Sequence, residues 1–152
     1  YQLAAATGSR PATAKHAREA ERVLLRKVGL NPVNYRLADG SGLSLYNYLS
    51  AEAEVKLLRY AYQNENIFHH LYQALPIAGV DGTLKKRMRS TFTRNNVRAK
   101  TGTLTGISSL AGYCKAANDH WLCFAIINQG VMHARNAKNF QNRVCTILCA
   151  PN

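Results

Sequence analysis

Arg98-Ala99-Lys100-Thr101-Gly102-Thr103-Leu104 is the stretch from which the fold of this 152-residue chain can be inferred. The pattern favours a β-strand over residues 97–104 that ends at Gly106. Two more strands are predicted over residues 107–115 and 121–128. Three strands in succession favour an antiparallel meander.

The alternation of side chains along the first strand separates its polar residues. Lys100 should share one face with Arg98 and Gly102, while Thr101 and Thr103 point to the other face, unless a twist or bulge changes the pattern. Gly102 has no side chain, so another backbone can approach the strand closely at this position. The strand therefore combines an exposed cation with room for a docked chain.

Helices are predicted both before and after these strands. One covers residues 11–28, Ser50 is a good N-cap for the next, and others cover residues 67–74 and 134–149. The apolar stripes expected to be buried are Ala17, Ala20, Leu24 and Val28 in the first helix, and Ala137, Phe140, Val144, Ile147 and Leu148 in the last. The last helix should pack on a sheet face drawn from Leu110, Trp121, Phe124 and Ile126. The predicted class is α+β, an antiparallel sheet of at least three strands packed against helices.

The composition suits a single compact domain, because 47% of the residues are hydrophobic and 152 residues can bury a core without metal or disulfide support. No apolar run approaches the roughly 20 residues that span a bilayer.

A formal net charge of +12 would suit a nucleic-acid-binding module by electrostatics alone. The basic residues are scattered without a recognised nucleic-acid-binding motif, so this is the weaker interpretation. Their densest cluster, residues 85–89, is interpreted as the solvated face of a helix.

The four cysteines lack the spacing of a metal site. Cys114 and Cys123 would face each other if the hairpin turns at residues 118–119, so a disulfide between them is conceivable in an oxidising compartment. Free, buried thiols are the favoured interpretation. Cys145 and Cys149 lie one helical turn apart, and we expect both to be reduced.

Three landmarks in a fixed order carry a resemblance to a known family. They are Ala38-Asp39-Gly40-Ser41-Gly42-Leu43-Ser44, then Leu75-Pro76-Ile77-Ala78-Gly79-Val80-Asp81-Gly82-Thr83-Leu84, then Ala99-Lys100-Thr101-Gly102-Thr103. With these motifs nearly the whole chain resembles the C-terminal part of the class C low-molecular-mass penicillin-binding proteins, which are D-alanyl-D-alanine carboxypeptidases and endopeptidases. The resemblance implies the fold shared by penicillin-binding proteins and serine β-lactamases.

In that family three motifs meet at the active site, and only Lys-Thr-Gly is found here. Neither Ser-x-x-Lys, which supplies the nucleophile and base, nor Ser-x-Asn occurs in the sequence. We therefore expect residues 1–152 to be the C-terminal part of a single penicillin-binding domain and to be inactive alone. The start at Tyr1, within a predicted helix and without a signal peptide, agrees with this expectation.

The resemblance implies a serine peptidase that acts on peptidoglycan stem peptides through an acyl-enzyme, without metal or cofactor. Its place would be the periplasm or extracytoplasmic envelope of a bacterium, and β-lactams would trap it. The residues implied in catalysis are Lys100, which supplies positive charge, Thr101, which supplies a hydroxyl to the substrate carboxylate, and Gly102, which provides clearance.

The resemblance also implies substrate contacts around these catalytic residues. Thr103 is the alternative to Thr101 as the source of the hydroxyl, Leu104 would supply an apolar wall, and Ser44 belongs to the Gly-rich segment at the wall of the cleft. Many relatives carry an arginine where this sequence has Leu45, which leaves charge recognition there in doubt. The arginines that would replace it are Arg36, Arg94 and Arg98.

Two other classes of function agree with the same residues. A noncatalytic envelope-binding or peptidoglycan-binding domain would keep the fold without a nucleophile, and its full-length form would not react with penicillin. A basic nucleic-acid module would show steeply salt-dependent binding. An exposed sheet edge would also allow the isolated chain to associate with itself.

Overall fold

A computed structural model describes residues 1–151 of the chain. Its elements are α1 (Gln2–Ala6), α2 (Ala14–Lys27), α3 (Ala51–Tyr62), α4 (Glu65–Ala74), β1 (Arg98–Leu104), β2 (Ile107–Lys115), β3 (Trp121–Gln129) and α5 (Ala134–Cys149), with 3₁₀ turns at Pro32–Asn34 and Gly82–Leu84. The chain divides into two compact units, Tyr1–Lys56 and Leu57–Asn152, and the division falls inside α3. None of the helices in residues 1–151 is both long and apolar enough to cross a bilayer.

The first unit has a small core formed by Leu25, Leu30 and Ala53. α2 begins at Ala14 rather than at residue 11, because the Thr13 hydroxyl accepts a hydrogen bond from the His16 N–H at 3.3 Å and caps the helix there. The predicted stripe is right for Val28, which packs against this core, and wrong for Leu24, which is 40% exposed while Leu25 is the buried leucine. Successive helical residues differ by about 100° in direction, so the position of the neighbouring segment decided which leucine is covered.

The second unit is built on an antiparallel sheet of strand order β1-β2-β3, as the sequence predicts. Across β1 and β2, Arg98 faces Tyr113 and Leu104 faces Ile107, and every residue between them has a partner. The register contains no bulge, so side chains alternate strictly. Lys100 and Gly102 therefore belong to one face and Thr101 to the other, which confirms the predicted alternation.

α5 covers the sheet face opposite Lys100. The core between them consists of Ala99, Leu110, Cys114 and Phe124 from the strands and Cys145 and Cys149 from the helix. The predicted apolar stripe of α5 is right for Ala137, which is buried, and for Leu148, which packs against this core, and wrong for Phe140 and Ile147, which are 51% and 73% exposed. The buried positions of the helix are Ala137, Gln141, Cys145 and Cys149. Apolarity alone missed Gln141, which is buried because its side-chain amide bonds to polar groups of the sheet.

Gln141 is fully buried and connects α5 with β2, with β3 and with the segment that contains Arg87, before β1. Its Oε1 accepts a hydrogen bond from Arg87 Nη2 at 2.9 Å. Its Nε2 donates to Ser108 Oγ at 3.2 Å and to Asn128 Oδ1 at 3.0 Å. One amide thus satisfies polar groups from three other segments, which fixes the rotation of α5 on the sheet.

We expect Gln141→Leu to lower the free energy of unfolding by about 3 kcal/mol, because three groups in or beside the core lose a hydrogen-bond partner. Urea denaturation followed by circular dichroism measures the change. Asn139→Leu on the exposed side of the same helix is the matched control, and it should alter stability by less than about 0.5 kcal/mol. If Gln141→Leu left stability unchanged, apolar packing alone would hold α5 on the sheet.

The basic segment 85–89 departs from its sequence interpretation. Residues 85–89 form one turn and then irregular chain after the 3₁₀ turn Gly82–Leu84, so the predicted helix is absent there. Arg87 is half-buried and also donates through Nε to Asn142 Oδ1 at 3.0 Å. Lys85, Lys86 and Arg89 are exposed. The interpretation as a solvated surface is therefore correct for these three residues and wrong for Arg87.

The other face of the sheet carries an aromatic cluster. The Phe68 ring of α4 lies 5.2 Å from Tyr113 and 5.5 Å from Trp121, both in edge-to-face geometry. The Arg98 guanidinium lies 4.5 Å from the centre of the Tyr72 ring. Trp121 therefore packs against α4, whereas Leu110, Phe124 and Ile126 form the face that α5 covers.

The cysteines are free thiols, as expected. Across β2 and β3, Cys114 pairs with Leu122, and Cys123 pairs with Tyr113. Cys114 and Cys123 thus lie on opposite faces of the sheet, and the disulfide considered between them is excluded. The turn assumed at residues 118–119 is wrong, because the loop between β2 and β3 holds an odd number of residues and these two positions are offset by one in the register.

Candidate active site

The candidate site is the outer edge of β1, the strand that carries Lys-Thr-Gly. β1 pairs with β2 on one side only. On the other side the Ala99 N–H donates to Pro76 O at 3.1 Å, and the Ala78 N–H donates to Val97 O at 2.9 Å. The second sequence landmark therefore covers the beginning of this edge. Beyond Ala99, no strand of residues 1–151 pairs with it.

The direction of the backbone groups along this edge follows from the hydrogen bond of Ala99. In an antiparallel strand, alternate residues direct their N–H and C=O groups to the same side. Since Ala99 donates toward Pro76, the N–H and C=O groups of Thr101 and Thr103 also point away from β2. The open part of the edge thus presents a ladder that an extended peptide can join.

Lys100 brings a positive charge to this open edge. Its side chain is exposed, and Nζ donates a hydrogen bond to the carbonyl oxygen of Thr101 at 2.6 Å. The ion pairs found within residues 1–151 join Arg26 to Glu19 and Lys56 to Glu52. Lys100 therefore has no carboxylate partner in the described chain, and its ammonium group is available to an anionic ligand.

Thr101 is held by a residue that sequence reasoning missed as a site residue. The Thr101 hydroxyl donates to Thr83 Oγ1 at 3.1 Å. Thr83 follows Pro76 and Ala78, which pair along the same edge. The segment 75–84 therefore places a hydroxyl beside the Lys-Thr-Gly strand. The signal was present, since Thr83 lies within Leu75–Leu84, but nothing in the linear sequence joined it to Thr101.

Gly102 lies where the sheet surface has no room for a side chain. A Cβ at this position would collide with the Ser109 hydroxyl on the paired strand β2. The half-buried Gly102 shares its face with Lys100. The surface beside the ammonium group is therefore flat, which agrees with the clearance inferred from the sequence.

The remaining predicted contacts fall in two places. Thr103 is exposed and Leu104 half-buried on β1, where they pair with Ser108 and Ile107 of β2. The structure thus brings five of the six predicted residues together on one strand. The sixth, Ser44, belongs to the first unit, where its hydroxyl accepts a hydrogen bond from the Tyr46 N–H at 3.2 Å. Its role as a substrate contact stays a prediction.

The Gly-rich segment around Ser44 is organised by Asp39. The Asp39 carboxylate accepts hydrogen bonds from Asn47 Nδ2 at 2.8 Å, Ser41 Oγ at 2.7 Å and the Gly42 N–H at 3.1 Å. The bond from Asn47, followed by that from Ser41, lowers the pKa of this carboxyl below its usual range. A charged Asp39 therefore gives the segment a defined conformation.

The arginines proposed to supply the positive charge that is missing at Leu45 differ in the contacts that their guanidinium groups make. Leu45 is 78% exposed. Arg98 is engaged with Tyr72, whose carbonyl oxygen accepts from its Nη1 at 3.3 Å, and its Nε is buried without a partner. Arg98 is thus a packing residue, and its prediction as a site cation is not supported by these contacts. Arg36 lies over the Tyr46 ring at 5.4 Å.

Comparison with known proteins gives a consistent result. Residues 2–150 match the D-Ala-D-Ala carboxypeptidase 3 (S13) family. The D-alanyl-D-alanine carboxypeptidase DacB of Haemophilus influenzae is 39% identical over 117 residues, which cover 76% of this chain and 24% of that protein. The D-alanyl-D-alanine carboxypeptidase of Actinomadura sp. is 39% identical over 112 residues, 70% of this chain and 20% of that protein. The chain thus spans about a quarter or less of the length of these two relatives.

Solved structures extend the match to three dimensions. Penicillin-binding protein 4 from Haemophilus influenzae, complexed with a β-lactam, superposes with a TM-score of 0.81 and 31% identity, covering 92% of this chain and 34% of that one. The TLA-1 extended-spectrum β-lactamase matches with a TM-score of 0.65 and 18% identity, covering 87% of this chain and 53% of that one. The likeness to the lactamase concerns the fold alone. The resemblance and the fold class inferred from the sequence landmarks are confirmed.

Proposed function

The chain belongs to the D-Ala-D-Ala carboxypeptidase 3 (S13) family, and on that premise we propose that it is the C-terminal part of a serine-type D-alanyl-D-alanine carboxypeptidase or endopeptidase. The observation that carries the proposal is the open edge of β1, where the exposed Lys100 lies beside outward backbone groups that no other strand in residues 1–151 pairs with. The substrate class is the stem peptide of peptidoglycan. β-Lactams act as analogues that acylate the same nucleophile.

Substrate binding uses the edge in the manner of an added strand. The extended stem peptide pairs with the outward groups of Thr101 and Thr103, while the ammonium group of Lys100 and a threonine hydroxyl bind its terminal carboxylate. Gly102 keeps the adjoining surface low enough for the peptide backbone to lie flat. Binding at an edge explains how a strand can contribute to catalysis without supplying a nucleophile.

The bond-making step requires a serine that the 152 residues do not provide in a Ser-x-x-Lys motif. The serine oxygen attacks the carbonyl of the penultimate D-alanine, the terminal D-alanine leaves, and water hydrolyses the acyl-enzyme. The N–H of Thr103 points to the same edge, and the role assigned to it in this proposal is to stabilise the oxyanion that forms in each half-reaction. Lys100 thus orients the substrate, and Thr103 acts on its developing charge.

The proposed location is the periplasm or the extracytoplasmic envelope, where the stem peptide occurs. The net charge of +12 favours association with anionic envelope polymers, which would raise the local concentration of the protein near its substrate. The unpaired edge of β1 also offers a route for two copies of the isolated chain to pair. No nucleic acid is part of this proposal.

Intact-mass analysis after incubation with a penicillin tests the proposal. We expect a covalent adduct on an N-terminally extended polypeptide that carries Ser-x-x-Lys, and no adduct on residues 1–152 alone. An adduct on the short chain would show that it carries its own nucleophile and would overturn the division of the active site. If neither protein reacts, the chain is a noncatalytic peptidoglycan-binding domain, which binding to purified peptidoglycan would then establish.

A further inference from the structure

Three of the four cysteines meet in one place inside the second unit. Cys114 of β2 and Cys145 and Cys149 of α5 belong to the same buried core. Cys114 is 0% and Cys149 3% exposed. Cys123 lies on the opposite face of the sheet. The core thus holds a group of thiols for which the proposed peptidase chemistry has no use.

Within this group Cys114 and Cys149 are a pair. Their thiols are hydrogen-bonded to each other, and this bond lowers the pKa of Cys149 while it raises that of Cys114, which burial raises further. Burial raises the pKa of Cys145 to about 12. Cys149 lines an open cleft, whereas Cys114 and Cys145 do not, so Cys149 is the sulfur that a molecule from solvent reaches first.

An open cleft of about 710 Å³ leads to this pair. Cys149 lines it together with Phe92, Arg94, Asn96 and Lys115, and Cys114 directly precedes Lys115 on β2. The cations Arg94 and Lys115 favour an oxidant that carries carboxylates, although Asp119 adds one negative charge to the wall. The cleft therefore gives a small anionic disulfide a path to a thiol that is otherwise enclosed.

We propose that Cys114 and Cys149 are a latent disulfide site, which an external disulfide oxidises through this cleft. The inference is independent of the peptidase function, because it rests on the core between α5 and β2 and uses no residue of the β1 edge. A bridge between Cys145 and Cys149 is disfavoured, because their spacing on one helix holds the two backbones near the limit for bridging.

The reaction is a pair of thiol–disulfide exchanges. The Cys149 thiolate attacks one sulfur of the external disulfide, forms a mixed disulfide and releases the first external thiolate. Cys114 then attacks the Cys149 sulfur, its proton passes to the departing second thiolate, and the protein disulfide forms. Two protein thiols are oxidised and one external disulfide is reduced to two thiols, so atoms and electrons balance.

The bridge would join the end of β2 to the C-terminal end of α5. It closes a loop that contains β3 and nearly all of α5, which restricts the unfolded chain and stabilises the folded one. In an oxidising envelope the second unit would thus be more resistant to unfolding than under reducing conditions.

Thiol counting on the 152-residue protein tests the site, with oxidised glutathione as the probe. The reduced protein should give four alkylated cysteines after denaturation, and the oxidised protein two. Peptide mapping should then find Cys114 linked to Cys149, and the melting temperature of the oxidised form should be higher by several degrees. Cys123→Ser and Cys145→Ser are matched controls in which this link should still form.

The variant Cys114→Ser separates the two exchange steps. It should stop at a mixed disulfide between Cys149 and glutathione, because the resolving thiol is missing. Four free thiols in the native sequence after oxidation would overturn the proposal, and so would a link between any other pair of cysteines. These readouts need no active peptidase, so a failed penicillin assay leaves their interpretation unchanged.

Discussion

Lys100→Ala, made in an extended polypeptide that carries the proposed serine, is expected to lower the rate of penicillin acylation between about tenfold and about a thousandfold. The ammonium group lies at the open edge of β1, with no carboxylate partner in the described chain to share its charge. Its loss removes the group that binds the carboxylate of penicillin or of the stem peptide. Time-resolved labelling with a fluorescent penicillin gives the rate constant.

Two variants distinguish a specific contact from a general change of charge. Lys115→Ala removes the same charge from an exposed position on β2, where Nζ lies 5.4 Å from the centre of the Trp121 ring, and should leave acylation nearly unchanged. Lys100→Arg keeps the charge and should retain part of the rate. Equal labelling of Lys100→Ala and the unsubstituted protein would remove the β1 edge from the active site.

Gly112→Ala is expected to destabilise the second unit by about 3 kcal/mol or more. A Cβ at position 112 would collide with the Arg98 carbonyl oxygen and would approach Ala99 Cα to 2.6 Å and Ala99 Cβ to 2.7 Å. Paired residues of antiparallel strands normally keep their Cβ atoms about 4.5–5.5 Å apart. The strands must therefore separate where β1 enters the sheet, and the melting temperature should fall by roughly 10 °C or more.

Gly40→Ala is the matched control, because a Cβ there meets nothing within 4 Å. It should leave the melting temperature nearly unchanged. Since β1 carries Lys100, the damage from Gly112→Ala should extend to penicillin acylation in the extended polypeptide. A variant at position 112 that melts like the unsubstituted protein would show that β1 and β2 can move apart without cost.

Local sequence determined the strands with little error. The predicted bounds of 97–104, 107–115 and 121–128 differ from β1, β2 and β3 by at most one residue at an end. The bounds of α5 were also predicted correctly. Periodicity and turn residues act over a few neighbours in the chain, so these features do not depend on the rest of the fold.

Most of the candidate site could be predicted from the sequence for a related reason. Five of its six predicted residues are consecutive, from Lys100 to Leu104, and one strand therefore brings them together. Thr83 was missed because its contact with Thr101 spans 18 positions of sequence. The open edge itself was also not visible in the sequence, since it exists only where the pairing of Pro76 and Ala78 with β1 ends.

The sequence by itself determined the family, the order of the strands and the Lys-Thr-Gly strand, because motifs and short-range periodicity carry that information. Only the tertiary structure decided the buried face of α5, the docking of Arg87 on Gln141 and the position of Cys114 in one core with Cys145 and Cys149, on the face opposite Cys123. Each of these depends on the rotation of a helix or the register of a strand against a distant segment. A change of about 100° in a helix or of one residue in a strand presents a different side chain, and only the packing partner selects among them.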